Sequence, residues 1–478
     1  MPKTALVIFS NQLYENRQAI KKCDHTFLVE DPIYFNEVVK PNKIKIAYLR
    51  AAGKCYFDTV VKGPKTYISC EEVKVGGYKF LDRFDEVVMY DPTDVSLMTK
   101  IRKNLKNLRV LPSPNFLMTP GDLDEYHKEK KVPRHASFYN LVKSRLHILE
   151  SVPNLDKYNR DPPPKGDASV VVPRLGYYKM NKYYKEGIEY AESAMFRGHV
   201  GNAANVTLYP ITHQDAYKHL VLFLKERLGR FGKYQDAIMQ DEVTMFHSVI
   251  SPAFNIGLLD PRKVVEISRG YMNVVPMEAF EGFIRQVIGW REYMRYLYVY
   301  HYQDLVASNI PDNNMTFREA EGWYKGETGL VPLDKEIKKV LETGYAHHIV
   351  RLMVFMNFFI LCNLHPRVIY KWFMEVVSID AYDWIMVSNI YAMGYFTSKA
   401  MSRPYISTSS YITKMSDYKK DGIWDVLWDS LFYNFISGKP KKYVGAYSRN
   451  LGYYNKNRGI STVGAEYIKR HFKRVSGK

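Results

Sequence analysis

Two histidines and an arginine, His347, His348 and Arg351, stand in the otherwise apolar run Tyr345-Ala-His-His-Ile-Val-Arg-Leu-Met-Val-Phe355. On an α-helix, residues three and four apart share a face, so Arg351 would neighbour both imidazoles. Burying a guanidinium beside imidazoles is costly unless a carboxylate, a phosphate or a polar cofactor compensates it. The run alone reads equally as a packed core histidine pair or as part of a site.

The elements that must position these groups begin with a chain of 478 residues, 46% hydrophobic, enough for two or three domains. Lys and Arg exceed Asp and Glu by 68 to 50, a formal net charge of +18. That excess favours a polyanionic partner, nucleic acid or an acidic membrane surface, over a merely solvated basic face. The 39 tyrosines and 14% aromatic content suit either core packing or stacking on planar ligands. Four cysteines, Cys23, Cys55, Cys70 and Cys362, include no CxxC pair. They supply neither a tetrahedral zinc set nor an iron–sulfur framework, and such sparse usage fits reduced thiols in an intracellular protein. The first apolar run is too short for a signal peptide, so secretion is not expected. Ile349 to Leu364 carries Arg351, Asn357 and Asn363 and is too short and polar to span a bilayer; it reads as a buried core helix, with no membrane association.

Short apolar runs at Ala5–Phe9, His25–Val29, Lys45–Tyr48, Lys65–Ser69, Glu86–Tyr90 and Leu108–Leu111 predict strands joined by crossovers, hence a mostly parallel sheet. Asp91-Pro-Thr-Asp94 reads as a turn capping a helix over Val95–Leu105. No GxGxxG follows the first strand, which argues against a dinucleotide fingerprint. Prolines mark extended connections at Pro112–Pro120 and Asn154–Pro173. Apolar residues at spacings of three and four then predict helices over Gln214–Arg230, Pro261–Arg269, Met277–Tyr302, Lys335–Cys362 and Arg367–Val377. The expected organisation is an α/β domain over 1–130, an extended and helical linker over 131–205 and a large all-α domain over 206–478. Lys469-Arg-His-Phe-Lys-Arg474 reads as a basic tail, solvated or holding nucleic acid.

Several segments, in order, resemble the photolyase/cryptochrome superfamily. The signature is Val275-Pro-Met-Glu-Ala-Phe-Glu-Gly-Phe-Ile-Arg-Gln-Val-Ile-Gly-Trp-Arg-Glu-Tyr-Met-Arg295. Phe231-Gly-Lys-Tyr-Gln-Asp-Ala237, Phe246-His-Ser-Val-Ile-Ser-Pro-Ala-Phe-Asn-Ile-Gly-Leu-Leu-Asp260 and the His347-His348 helix accompany it. So do Asp380-Ala-Tyr-Asp-Trp-Ile-Met-Val-Ser-Asn389, Arg403-Pro-Tyr405 and Tyr411-Ile-Thr-Lys-Met-Ser-Asp-Tyr418. Asp156-Lys-Tyr-Asn-Arg160 is similar to the superfamily's linker motif, and Asn11-Gln12-Leu13 after the first strand fits its antenna domain. The His-His-x-x-Arg pattern is most similar to the iron–sulfur bacterial cryptochromes and photolyases, the prokaryotic (6-4) photolyase group.

The resemblance implies an antenna-type Rossmann-like α/β domain and an all-α domain that binds FAD. It also implies which residues would hold the cofactor. Ser248 and Ser251 suit its diphosphate, because hydroxyls and amides on a short loop before a helix converge on an anion; the same residues also suit a plain helix cap. Arg285 is the flavin-side residue of the signature helix. Arg351 and Asp383 form the expected buried ion pair, and Asn389 faces the flavin N5. His348, with His347 beside it, takes the place of the proton donor that a (6-4) lesion needs. Tyr405 and Met393 match lesion-side positions. The implied activity is light-driven DNA repair, with reduced FAD donating an electron to a flipped-out lesion in UV-damaged DNA. A (6-4) photoproduct is the favoured lesion. Cyclobutane-dimer repair and a blue-light flavin receptor without repair are the alternatives. A monomer is expected.

The chain departs from that branch at its cluster ligands. Pro332, Lys419, Gly422 and Val426 stand at or near the four cysteine positions, so no iron–sulfur cluster and no other metal is expected. The electron relay is altered too: Trp372 matches, Tyr324 replaces a tryptophan and Phe373 a tyrosine, leaving Trp372 with Tyr324 or Trp384 as the expected path. The resemblance also implies a second, lumazine-type antenna pigment, for which residues 1–130 carry no motif.

Overall fold

Thr4–Phe9, TALVIF, contains no charged residue and is buried over its last five positions, as a strand covered on both faces must be. It is the central strand β1 of a five-stranded parallel sheet. The others are β2 (His25–Val29), β3 (Lys65–Ile68), β4 (Glu86–Tyr90) and β5 (Leu108–Leu111), in the order β3-β2-β1-β4-β5. β1 runs in register with β2 from Ala5↔His25 to Phe9↔Val29 and with β4 from Thr4↔Glu86 to Val7↔Met89. The computed structural model describes residues 3–15, 23–130, 133–164, 170–397, 404–456 and 458–475. The extended connection expected over Asn154–Pro173 lies in part outside the described residues, and so does Arg403.

One expected strand is a helix. Lys45–Tyr48 lies in Lys43–Thr59, started by Asn42, whose Oδ1 accepts from the Ile44 amide at 3.0 Å. Every residue from Ile44 to Leu49 is buried. The helix is covered all round, so its apolar residues lose the 3.6 period that would have identified it. It packs on Lys182–Ala191, where a side chain on Gly187 would bring a Cβ to 2.4 Å from the Ala47 carbonyl oxygen. Only glycine permits that approach.

The rest of the chain is mostly helical. The stretch expected as one helix over Lys335–Cys362 is interrupted. Val331–Thr343 ends at Gly344 in the left-handed region (φ 68°), and helical structure resumes in a wide turn at Val350–Met356 and in Asn357–Leu361. Met277–Tyr302 is continuous, but it passes through a π-helical segment at Arg285–Trp290. The basic C-terminal stretch is no loose tail. It ends helix Thr462–His471 and forms β7 (Phe472–Arg474), antiparallel to β6 (Met315–Phe317). Among the described residues, no helix is long and apolar enough to cross a membrane.

Candidate functional site

The loop from Met245 to Ser251 takes its shape from two residues in the left-handed region, Met245 (φ 46°) and Val249 (φ 53°). A β-branched residue pays a steric cost there, and such strain persists only where surrounding contacts enforce it. Those contacts are present: Arg227 Nη1 donates to the His247 carbonyl at 3.1 Å, and His219 Nε2 bonds the Ser248 carbonyl at 3.0 Å. The turn brings Ser248 and Ser251 to the wall of an open cavity of about 280 Å³ in the helical region.

His348, Arg351, Asp380, Asn389 and Met393 line the same cavity. Arg351 donates through Nη1 and Nη2 to Oδ1 and Oδ2 of Asp380, both at 3.0 Å, and through Nε to the Ala346 carbonyl at 2.6 Å. Ser251 Oγ donates to Asp380 Oδ2 at 2.6 Å. Burial pulls Arg351 down, but the Asp380 carboxylate outweighs it and leaves the guanidinium above its ordinary value. The planar fork and the carboxylate match in geometry, which makes this the strongest kind of side-chain pair.

The expected partner of Arg351 was Asp383, and the structure corrects this. Asp383 accepts hydrogen bonds from the hydroxyls of Tyr298 and, at 2.6 Å, Tyr370, and it does not line the cavity. Burial raises its pKa. Asp383 opens helix Asp383–Val387, whereas Asp380 sits in the preceding turn, the side of which faces the cavity. Both carboxylates belong to the same quoted motif, and spacing alone could not choose between them.

His348 lines the cavity and is exposed through its opening. Burial, and then the Arg351 charge, push its pKa down to about 4. His347 lies behind the wall. Its ring stacks on cavity-lining His247 at 4.6 Å between centroids and 14° between planes, and neither of its nitrogens has a hydrogen-bond partner among the described residues. Burial, and then His247, hold it well below the ordinary histidine value. His347 precedes the helical turns, and its carbonyl accepts the Arg351 amide at 3.2 Å. His347 thus stands just before the helix, whereas His348 begins it and faces the cavity with Arg351 three residues on.

Arg285 is a second correction. Its Nη2 donates to Asp156 Oδ1 at 2.6 Å and its Nε stands 3.4 Å from Glu281 Oε1, so it ties the signature helix to the linker motif. The widened turn at Arg285–Trp290 gives the cavity Gln286, Val287 and Trp290 instead. Asn389 lines the cavity with its Nδ2 bonded to the Ile385 carbonyl at 2.8 Å. Tyr405 is outside the lining.

The expected relay is not a chain of stacked oxidisable rings. Trp372 packs on Phe355, Phe359 and Phe373 at 5.0, 4.9 and 5.3 Å, and it is Phe373 that reaches the cavity. Tyr324 is bonded to Glu375 at 2.6 Å, and Trp384 packs on Phe116 at 5.1 Å. At the positions matching cluster cysteines, Pro332 is buried in the first turn of its helix, and the Trp424 indole donates to the Lys419 carbonyl at 2.9 Å. Val426 is exposed. Among the described residues, no three His, Cys, Asp or Glu side chains gather to hold a metal.

Sequence reasoning did not single out Asp380, His247 or Gln286. Each lies within a segment already recognised, so the signal existed for the segment but not for the residue.

Residues 6–208 match the family model of deoxyribodipyrimidine photo-lyase-related protein, and residues 283–428 that of the FAD binding domain of DNA photolyase. A (6-4) photolyase of Agrobacterium fabrum is 32% identical over 314 residues, covering 63% of this chain and 60% of that protein. A bacterial class III photolyase from Agrobacterium tumefaciens has a similar structure, with a TM-score of 0.55 at 16% identity over 82% of this chain and 79% of that one. A Synechocystis cryptochrome gives a TM-score of 0.55 at 13% identity over 94% of this chain and 90% of that one. These structural likenesses establish a common fold.

Proposed function

Because the chain belongs to the photolyase/cryptochrome superfamily, we propose that it binds FAD in the cavity and repairs a UV lesion in DNA under light, a (6-4) pyrimidine–pyrimidone photoproduct being favoured. The observation that carries this reading is the two-point Arg351–Asp380 pair, bonded by Ser251, in the cavity that His348 also lines.

The residues present fit the cofactor. Ser248 and Ser251 offer hydroxyls for a diphosphate, and an apolar wall that includes Phe254, Met294 and Leu352 suits a planar ring. FAD bound here supplies the light-driven one-electron chemistry. The protein's own contribution is to hold, orient and exclude water. Arg351 is fixed by Asp380 and the Ala346 carbonyl, so its charge is preorganised and costs no rearrangement on binding. In its protonated form His348 would donate the proton that a (6-4) lesion needs on its transferred hydroxyl, and His347 packs behind the wall. The excess of basic residues suits DNA phosphates and makes binding salt-dependent.

A second reading, repair of cyclobutane dimers, is favoured by one observation. His348 is largely neutral at pH 7, given its pKa of about 4, and a dimer split by an electron alone needs no such proton. Both are tested by recording the visible spectrum of the purified protein and illuminating it with DNA carrying each lesion. A flavin band with (6-4) conversion is expected. Conversion of dimers only selects the second reading, and a flavin band with neither product leaves a photoreceptor. Absence of the flavin band removes all three.

A further inference from the structure

Helix Lys43–Thr59 belongs to the sheet side of the molecule, and none of its residues is among those lining the cavity. Its start nevertheless grips the turn that carries Asp380. The Lys40 amide donates to Glu375 Oε1 and the Asn42 amide to Ser378 Oγ, each at 3.0 Å. Asn42 Nδ2 reaches the Val376 carbonyl at 3.4 Å. One turn further on, the Lys45 ammonium donates to the Ala381 carbonyl and stands 4.1 Å from the centre of the Tyr382 ring.

Lys45 is 1% exposed. Lysines ordinarily bury the stem and keep the ammonium in water, so a buried head group needs a local answer. Here the answer comes from the Ala381 carbonyl, the face of Tyr382 and two carboxylates. One carboxylate is Asp380 on the turn. The other is Asp94, which caps helix Val95–Asn104. On its far side the turn is held from the cavity: Asp380 carries Arg351 and Ser251 on its carboxylate and Asn255 Nδ2 on its carbonyl at 2.8 Å. The turn is thus clamped between the sheet layer and the cavity wall.

We propose that Lys45 is a positioning residue for the cavity, holding the Ser378–Asp383 turn so that Asp380 meets Arg351 and Ser251. This rests on the reading of the cavity as an FAD site. Burial lowers the Lys45 pKa to about 7, with Asp380 and Asp94 acting in the opposite direction, so its charge is lost just above neutrality. The other groups around it are Asp94, itself raised to about 7 by burial and then by Asp383, Tyr382 on the turn, Tyr34 packed on that ring at 5.7 Å, and Arg351 beyond Asp380, which keeps its charge throughout.

The two consequences have opposite signs. An unfolded lysine titrates near about 10.4, so between about pH 7 and 10 the unfolded chain binds the extra proton and this group's contribution to stability rises with pH. Over the same range the discharged amine holds the turn less firmly, and FAD affinity falls. A merely structural lysine would move both in the same direction.

The test is to titrate the full chain with FAD and to measure its urea midpoint between pH 6 and 9, for the unaltered protein and for Lys45→Met. The unaltered protein is expected to lose about tenfold in FAD affinity across that range without a falling midpoint. Lys45→Met, close in shape and without charge, is expected to bind about tenfold more weakly at pH 6 with a flat pH profile. Equal affinities at pH 6, or affinity and stability changing together, would overturn the role. If Lys45→Met does not fold, the opposed pH profiles of the unaltered protein still decide. Failure of the unaltered protein to bind FAD at any pH overturns both this role and the cavity reading, whereas FAD binding that ignores Lys45→Met overturns this role alone.

Discussion

Arg351 meets Asp380 through two nitrogens on two oxygens, each contact 3.0 Å, while Asp383, three residues on, turns to Tyr298 and Tyr370. Removing one partner of such a pair leaves the other charge poorly compensated, at a cost of about 3–5 kcal/mol. Asp380→Asn and Arg351→Met are therefore expected to purify without flavin colour. Asp383→Asn is expected to retain it, at some cost in stability from the lost tyrosine contacts. The absorbance ratio of flavin to protein after gel filtration measures all three. Loss of flavin from Asp383→Asn alone would reverse the assignment.

On the proposed (6-4) reading, His348 is expected to set the pH dependence of conversion. With a pKa held near 4 by burial and by Arg351, its protonated fraction falls about tenfold for each pH step above that value. Single-turnover conversion in saturating light should rise as pH is lowered from 8 toward 5, and His348→Ala should abolish it. A rate independent of pH would show that protonated His348 is not the donor.

Buried neutral histidines also tie stability to pH. Burial, the largest influence in each case, lowers His247 and His135 to about 3, against about 6.5 in an unfolded chain. The unfolded chain binds the extra protons below that value, so the stability they contribute is complete above about pH 6.5 and is lost as pH falls toward 3. The expected loss is about 1–2 kcal/mol per histidine by pH 5. His135→Phe, which can keep the stack on Trp290, should flatten part of the slope of urea midpoint against pH.

Phe472 joins the C-terminal stretch to the core. It is 1% exposed and packs on Trp323 at 5.3 Å and Phe317 at 6.0 Å, within the pairing of β6 with β7. Phe472→Ala should cost about 3–5 kcal/mol. Lys473→Ser, with its exposed side chain, should change the unfolding midpoint little. Equal effects in chemical denaturation would mean that the stretch is held by something other than this aromatic contact.

The local sequence determined much of the scaffold, because its signals are short-range. Five apolar runs became the five strands of the parallel sheet, and Asp94 capped the helix that followed β4 as its side-chain chemistry required. Segments such as Phe246–Asp260 and Asp380–Asn389 marked where a site would be built, and Ser248, Ser251, His348, Arg351, Asn389 and Met393 do meet around one cavity. Tertiary structure decided what depends on distant neighbours. Lys45–Tyr48 looks like a strand until burial on every side accounts for its missing helical period. Asp380 and Asp383 are chemically alike and three residues apart, and only the turn that Lys45 and Asn255 grip from opposite sides turns the first toward Arg351. Arg285 reads as a cavity residue until the π-helical turn rotates it onto Asp156. Residue type fixes what a side chain can do, whereas the direction it points is set by contacts from residues distant in the chain, 129 positions for Arg285 with Asp156 and 336 for Lys45 with Ala381.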